Sequence, residues 1–231
     1  MVFRQLFDSE SSTYTYLVGD EATRQAVLID PVLEQVERDL RLVGELDLTL
    51  THVFDTHVHA DHVTASGTLR ERTRCQVVAG AGGAECADLH LRHGDTVRVG
   101  GYAFQVLATP GHTDDSVSYL LGDRVFTGDA LLVRGNGRTD FQNGNAGQLY
   151  DSITRVLFRL PDATLVHPGH DYHGHLATSI GEEKRHNPRL AGKRREEFIQ
   201  VMKDLRLPPP RKIDVAVPAN RACGRLPPPE R

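Results

Sequence analysis

Three histidines and one aspartate fall within six residues, from His57 to His62, directly after the apolar run LTLTHVFD. The apolar run predicts a buried strand and the following HVTASGTLRER predicts a helix, so the cluster occupies the loop between them. Alternate residues of an extended loop point to the same side. We therefore expect His57 and His59 to face one point, and Asp61 and His62 to face another at the helix start.

Three further candidate ligands stand at the ends of predicted strands, each beside a glycine. They are His112 in TPGHTDDS, Asp129 in FTGDALL and His170 in HPGHDYHG. Glycine lets the backbone turn sharply and lets a side chain reach a shared point without a crowding Cβ. Imidazole nitrogens and carboxylate oxygens suit zinc, iron or manganese, and the lack of thiolates argues against a structural zinc site.

The other histidines stand outside this pattern, and we expect them to be ordinary core or surface residues. They are His52, His90, His93, His167, His173, His175 and His186. An isolated histidine is most often of this kind. The density of donors in H-x-H-x-D-H makes a purely structural interpretation a poor one for the cluster.

Composition argues against several classes of function. The formal net charge of -4 and the pI of about 6.3 argue against nucleic-acid binding, which depends on clustered cations. No run approaches the roughly 20 apolar residues of a membrane span. The start has an acidic residue at Asp8 and no apolar core typical of a signal peptide. The 3 cysteines form no C-x-x-C pair, so we expect the reducing cytoplasm and a fold without a disulfide.

Strand and helix patterns occur in two similar halves. Segments such as STYTYLVG, QAVLID, CQVVAG and RVFTGD predict strands, and helical spacing follows in each half. An α/β sandwich of two sheets with outer helices is expected, with loops gathered at one edge. We expect a core at residues 1–175 and a helical C-terminal appendage at residues 176–231 packed on it as one functional domain. The tail from Arg211 is expected to be an extended arm that frays at residues 227–229.

The order H-x-H-x-D-H, G-H, G-D and G-H resembles the metallo-β-lactamase superfamily, whose fold is an αββα sandwich. That fold carries hydrolases, dioxygenases and nucleases, so it does not fix the function. Longer stretches are more specific: FTGDALLVRGNGRTDFQ, HPGHDYHG, GEEKRHNPRL and KIDVAVPAN. Together they resemble the persulfide dioxygenase family, also called sulfur dioxygenases, over residues 1–220.

This resemblance implies one Fe(II) per chain, held by His57, His112 and Asp129. Three protein ligands on one octahedral face leave three positions open for a substrate thiolate and dioxygen. The remaining donors would orient ligands and water: His59, Asp61, His62 and His170. The implied reaction oxidises glutathione persulfide with O2 to sulfite and glutathione, in the detoxification of sulfide-derived persulfide.

Substrate contacts are implied by the same family. Arg189 in NPRL and Tyr172 in GHDYHG match positions associated with glutathione, and an arginine fork suits a carboxylate. Arg138 in GNGRTDFQ either lies near the substrate or braces the loop after Asp129. Asn136 is a departure, because many relatives have cysteine there, and this puts in doubt any thiol role at that position. The family is often dimeric, so a homodimer is expected.

Two other functions stay open at this stage. A binuclear glyoxalase II-type hydrolase of glutathione thioesters would use the whole donor set, with Asp129 as a bridge between two metals. It would be expected to have a larger helical glutathione-binding domain than the residues after His175 can form. A noncatalytic module that binds a metal or a persulfide would be expected to have lost a ligand, and none is missing.

Overall fold

Two six-stranded mixed sheets and six α-helices make up the described part of the chain, residues 1–226 of a computed structural model. The strands are β1 Val2–Asp8, β2 Thr13–Gly19, β3 Gln25–Ile29, β4 Thr49–Phe54, β5 Gln76–Gly80, β6 Leu89–Leu91, β7 Thr96–Val99, β8 Tyr102–Ala108, β9 Val117–Leu121, β10 Arg124–Gly128, β11 Leu165–Pro168 and β12 Thr178–Ser179. The helices are α1 Val36–Glu45, α2 Ser66–Thr73, α3 Ala146–Arg155, α4 Ile180–His186, α5 Arg195–Asp204 and α6 Ile213–Arg221. None of these helices has the length and apolarity needed to cross a membrane.

The chain divides into two compact units. The first contains residues 1–91, residues 98–103 and the chain from Pro209 onwards, and the second contains residues 92–97 and 104–208. The strand orders are β1-β2-β3-β4-β5-β6 in one sheet and β12-β11-β10-β9-β8-β7 in the other. The predicted division into a core of residues 1–175 and an appendage of residues 176–231 stays a prediction.

In the first unit, β3, β4 and β5 run parallel at the centre of the sheet. Leu28 of β3 and Val53 of β4 are fully buried and pack in one cluster with Leu69 of α2. Strands covered in this way are nearly continuous in apolar residues, as QAVLI is. Their carboxyl ends carry Asp30 and Asp55, which both begin polar loops. Strand β1 is not predicted from the sequence. Most of its residues are half-buried, and buried and exposed positions do not alternate strictly along it.

Helix α2 begins later than the sequence predicts, at Ser66 instead of the histidine cluster. Thr64 and Ser66 donate side-chain hydrogen bonds to the Asp55 carboxylate, at 2.9 and 2.5 Å. Thr64 also forms an isolated antiparallel bridge with Val32. Such side-chain bonds compete with helix formation, so all the cluster's donors lie in one loop.

In the second unit, β10 and β11 run parallel and their side chains face α3, α4 and α5. Val125 of β10 and Val166 of β11 pack with Leu149 of α3 and Phe198 of α5, and all four are fully buried. This cluster fixes the carboxyl end of β10, which Asp129 follows directly.

The prediction of an extended C-terminal arm is wrong, because residues Ile213–Arg221 form α6 even though Pro218 lies inside it. Proline removes a helical hydrogen bond and disfavours the helix. Here the helix buries Ala216 and Ala219 against Val63, and this tertiary contact outweighs the local penalty. The fraying predicted for residues 227–229 lies outside the described residues.

The expectation of a fold without a disulfide is also wrong. Cys86 and Cys223 form a disulfide across a sequence separation of 137 residues, and Cys75 is a buried free thiol. Local spacing cannot reveal such a pair, because α6 brings its end back to the segment after β5 only in the folded chain. A bridge that closes a loop of this length stabilises a fold by about 5 kcal/mol in the chain-entropy description.

Candidate metal centre

The first unit carries a donor-rich loop between β4 and α2, residues 55–65, which we name the metal loop. Asp30, which directly follows the neighbouring β3, holds this loop by hydrogen bonds to Thr56. Its carboxylate accepts hydrogen bonds from the Thr56 backbone N–H at 2.7 Å and from the Thr56 hydroxyl at 2.9 Å. Sites in α/β sheets form at the carboxyl ends of parallel strands, and the metal loop lies at such an edge.

His57 receives its orientation from the same network. The Thr56 hydroxyl gives its proton to Asp30, so its oxygen accepts from His57 Nδ1 at 2.9 Å. His57 therefore carries its proton on Nδ1 and has its lone pair on Nε2. A partner on one ring nitrogen that fixes the tautomer in this way is typical of metal-binding histidines.

His59 is fully buried, and its Nε2 lies 3.1 Å from the Asp30 carboxylate. Burial lowers the pKa of His59, but the charge and hydrogen bond of Asp30, with smaller contributions from Asp61 and Asp55, raise it to about 9. Its Nδ1 is buried without a hydrogen-bond partner among residues 1–226. Because a carboxylate only accepts hydrogen bonds, His59 Nε2 carries a proton and donates a hydrogen bond to Asp30.

Asp61 and His62 form a second group with His59 at the other end of the loop. His62 Nδ1 lies 2.8 Å from an Asp61 carboxylate oxygen, which also accepts from the Thr13 hydroxyl at 3.1 Å. His62 Nε2 is buried and has no hydrogen-bond partner in the described chain. Donor atoms of His59, Asp61 and His62 all lie within 4.8 Å of one another, which is close enough for a shared ion.

In the second unit the structure brings His112, Asp129 and His170 together. His112 Nδ1 donates to the Arg138 carbonyl at 2.7 Å, which leaves the lone pair on Nε2. That Nε2 lies 3.6 Å from Asp129 Oδ2, and His170 Nδ1 lies 2.7 Å from Asp129 Oδ1. Two donors that are each about 2.1 Å from one ion lie roughly 3 to 3.6 Å apart. His112 and Asp129 therefore have the spacing of two ligands of one metal.

Gly137 packs directly on both of these residues. Its N–H donates to the Asp129 carbonyl at 2.7 Å. A Cβ at this position would lie 2.6 Å from the same carbonyl oxygen and 2.7 Å from His112 Nδ1. Only glycine leaves room here. The backbone at Gly137 therefore packs directly against the His112 ring and against the Asp129 carbonyl.

Arg189 and Tyr172 contact two parts of this site in the second unit. Arg189 contacts the loop that contains Gly137, and Tyr172 contacts His170. The Arg189 guanidinium is partly buried, which lowers its pKa, and it donates to the Asn136 carbonyl at 2.7 Å. That bond is its single side-chain hydrogen bond to the described residues, so most of its donors remain for an acceptor such as a carboxylate. Tyr172 is 68% exposed as a residue, and its ring stacks on that of His170 with centroids 6.1 Å apart.

Arg138 is differently engaged. Its guanidinium forms a bidentate ion pair with Asp140 at 2.7 and 2.8 Å and donates to the Pro208 carbonyl at 2.6 Å. It also lies over the Phe141 ring, 4.5 Å from the centroid. These contacts brace the loop after Asp129, which is one of the two roles that the sequence leaves open.

Several residues that organise the site were missed by the sequence analysis. Glu183 is fully buried and accepts from Asn187 at 2.8 Å and from the Arg134 backbone N–H at 3.0 Å, while Asn187 also donates to the Gly135 carbonyl. This network holds the loop that contains Gly137. Of these residues, Asp30 alone could have been found from the sequence, because it is a carboxylate at the end of a predicted buried strand.

The donor set fits a divalent metal, because it combines imidazole nitrogens with carboxylate oxygens that supply negative charge. The two sheets and these donors define an α/β protein with a candidate metal site. The family model that matches is the Metallo-beta-lactamase superfamily, over residues 9–85 and 87–170.

Full-length relatives narrow the class. Persulfide dioxygenase ETHE1, mitochondrial, of Mus musculus is 50% identical over 233 aligned residues, covering 99% of this chain and 91% of the relative. A solved structure of ETHE1 from Myxococcus xanthus has a TM-score of 0.97 and 79% identity, and the match covers 97% of this chain and 100% of that one. A hydroxyacylglutathione hydrolase of Rhodospirillum rubrum is 37% identical over 70% of this chain and 63% of its own length. The chain belongs to the persulfide dioxygenase family of the Metallo-beta-lactamase superfamily.

Proposed function

We propose that this protein is an Fe(II)-dependent dioxygenase that oxidises glutathione persulfide with O2 to sulfite and glutathione. The observation that carries the proposal is the 50% identity, over nearly the full length of the chain, with a protein named persulfide dioxygenase. The second candidate from the sequence, a thioester hydrolase, has its relative at lower identity and over a shorter part of both chains.

One iron per chain would be held by His57, His112 and Asp129. Supporting this set, the Nδ1 atoms of both histidines contact oxygen atoms of the protein, and this favours Nε2 as the metal-binding nitrogen. Asp129 would be a ligand through its carboxylate, which His170 Nδ1 contacts at 2.7 Å. Iron bound there would activate O2 for reaction with the terminal sulfur of a persulfide anion, and that sulfur is the atom oxidised to sulfite.

The neighbouring donors would orient the ligands. His170 holds the Asp129 carboxylate in one rotamer, and Asp61 holds the ring of His62. His59 would orient the loop through the contact of its Nε2 with the Asp30 carboxylate at 3.1 Å.

Glutathione carries two carboxylates, and Arg189 has the donors to receive one of them as a charge-assisted pair. Tyr172 would cover the bound substrate from its exposed position on His170. Arg138 would contribute by fixing the loop, because Asp140 already occupies its guanidinium fork.

We further propose that the protein works in the cytoplasm and as a homodimer. The mammalian relative is named mitochondrial, so the compartments would differ. In a reducing compartment the Cys86–Cys223 bond would exchange with cellular thiols. Fractionation of the source cells and light scattering of the purified chain test these two statements.

The experiment that tests the activity combines metal content with oxygen uptake. Anaerobically purified protein is expected to carry one iron per chain and to consume about one O2 per sulfite formed from glutathione persulfide, as a dioxygenase does. S-lactoylglutathione should be a poor substrate, because a thioester has no terminal thiolate.

A second candidate function is favoured by one observation. His59 Nδ1 and His62 Nε2 are buried without hydrogen-bond partners within residues 1–226, so the metal loop has donors for a second ion. A binuclear centre would generate hydroxide for thioester hydrolysis. Two zinc ions per chain, rapid hydrolysis of S-lactoylglutathione and no oxygen uptake would establish this function and reject the dioxygenase.

A further inference from the structure

A buried asparagine from the end of α6 holds the metal loop by its backbone. Asn220 Nδ2 donates to the His59 carbonyl at 2.9 Å and to the His62 carbonyl at 2.8 Å, and Asn220 Oδ1 accepts from the Thr64 N–H at 2.8 Å. Only 2% of Asn220 is exposed. One amide thus satisfies three polar backbone groups of a loop that is about 160 positions away in sequence.

The segment around Asn220, residues 219–225, lies directly against the metal loop, and we name it the strap. The Gly67 N–H donates to the Cys223 carbonyl at 2.8 Å. Gly224 has a φ of +78°, and a Cβ there would lie 2.0 Å from the Thr64 carbonyl oxygen. The strap and the loop are therefore in backbone contact, so displacement of one leaves polar groups of the other unpaired.

A covalent bond holds the strap in place. Cys223, which is 1% exposed, is bonded to Cys86, which lies in a partly exposed segment after β5. The Glu85 N–H also donates to the Arg221 carbonyl at 3.1 Å. The disulfide is thus three residues from Asn220 in sequence and holds the part of the chain that contacts the metal loop.

We propose that the strap is a positioning element of the metal loop, with Asn220 as its positioning residue, and that the Cys86–Cys223 disulfide makes metal binding by this loop redox-dependent. This rests on the part of the proposed function that places a metal ligand in the loop. Residues that orient metal ligands typically change metal affinity by about 10- to 100-fold. A C-terminal segment without a covalent bond opens more easily than the interior of a fold.

The redox step is an ordinary thiol–disulfide exchange. A thiolate attacks Sγ of Cys86, the bond to Sγ of Cys223 breaks, and Cys223 leaves as a thiolate that takes up a proton. A second thiolate then attacks the mixed disulfide, which releases Cys86 and gives an oxidised disulfide of the small thiol. Two electrons pass from two thiols to the bridge. Glutathione, the thiol product of the proposed reaction, belongs to the class of reductant that this step needs.

The positioning role is tested on the metal-free full chain by anaerobic titration with Fe(II) and by amide hydrogen exchange of residues 56–66. Asn220→Ala is expected to bind Fe(II) about 10- to 100-fold more weakly and to exchange faster in the loop. Asn220→Asp keeps the acceptor for Thr64 and loses both donations, so it should show at least part of the defect. The matched control is Val215→Ala, on the same helix and 52% exposed, which should behave as the wild type.

The redox dependence is tested first on the wild-type chain and then on one cysteine variant. Treatment of the wild-type chain with a phosphine reductant should weaken Fe(II) binding and speed exchange in the metal loop, and Cys86→Ser should already show both changes and not respond to the reductant. Wild-type affinity and loop exchange in a folded Asn220→Ala protein would overturn the positioning role. Unchanged affinity and exchange after complete reduction would overturn the redox part. Neither measurement uses a substrate, so a strap effect without oxygen uptake would reject the dioxygenase and leave this proposal standing.

Discussion

Replacement of Gly137 by alanine should disturb the candidate metal site, because the added methyl group would press on both Asp129 and His112. The added Cβ would lie 2.6 Å from the Asp129 carbonyl oxygen and 2.7 Å from His112 Nδ1. Ordinary contact begins at 3.4 Å, so either the loop or the His112 ring must retreat by about 0.7 Å. Neither neighbour is the end of a flexible side chain, because one is backbone and the other is held by Arg138.

The size of the effect follows from this displacement. A shift near 1 Å at a reacting centre lowers the rate by about 100-fold, and overpacking of a filled site destabilises a fold by about 1–3 kcal/mol. We therefore expect Gly137→Ala to reduce Fe(II) affinity and persulfide-dependent oxygen uptake by about 10- to 100-fold, with a small fall in the melting temperature.

Gly135→Ala is the matched control, because it is in the same loop and its Cβ would meet nothing closer than 3.9 Å. This variant should keep its iron and its rate of oxygen uptake. The two proteins are to be compared by metal analysis after anaerobic reconstitution, by an oxygen electrode and by thermal unfolding. If Gly137→Ala binds iron and turns over as Gly135→Ala does, the packing of Gly137 does not determine the geometry of His112 and Asp129.

Three further predictions concern side chains of the second unit. His170→Ala should keep one iron per chain and lose about 10- to 100-fold in activity, and loss of a second metal equivalent would contradict a mononuclear centre. Arg189→Ala should raise KM for glutathione persulfide by roughly 10- to 100-fold with a smaller change in kcat, since a charge-assisted hydrogen bond is worth about 1.5–3 kcal/mol; an unchanged KM would place the carboxylate site elsewhere. Burial, with the nearby Arg124 charge, lowers the pKa of His167 from 6.5 to about 4, so its contribution to stability is complete above about pH 6.5 and is lost as the pH falls towards 4, by about 3 kcal/mol. Urea unfolding between pH 7 and 4 measures this loss, which should be smaller in His167→Gln; equal acid sensitivity of the two proteins would count against it.

Donor residues could be found from the sequence because their signal is local. The spacing of H-x-H-x-D-H after an apolar run predicts a loop at a strand end, and the structure has that loop after β4. Asp129 follows a strand with a glycine at its end, as expected. The start of α2 could not be predicted, because it depends on hydrogen bonds from Thr64 and Ser66 to Asp55. Local periodicity contains no information on these competing bonds.

The amino-acid sequence by itself determined the strand and helix types, the candidate ligands and the family, since apolar periodicity and short motifs act between near neighbours in the chain. Only the tertiary structure decided which histidine nitrogen carries a proton, because Asp30 and the Arg138 carbonyl reach His57 and His112 through the fold. It also decided that the C-terminal segment is a helix with a disulfide, against its proline content. Cys86 and Cys223 are 137 positions apart, and such a contact forms only when the chain packs. The sequence around either cysteine does not indicate its partner.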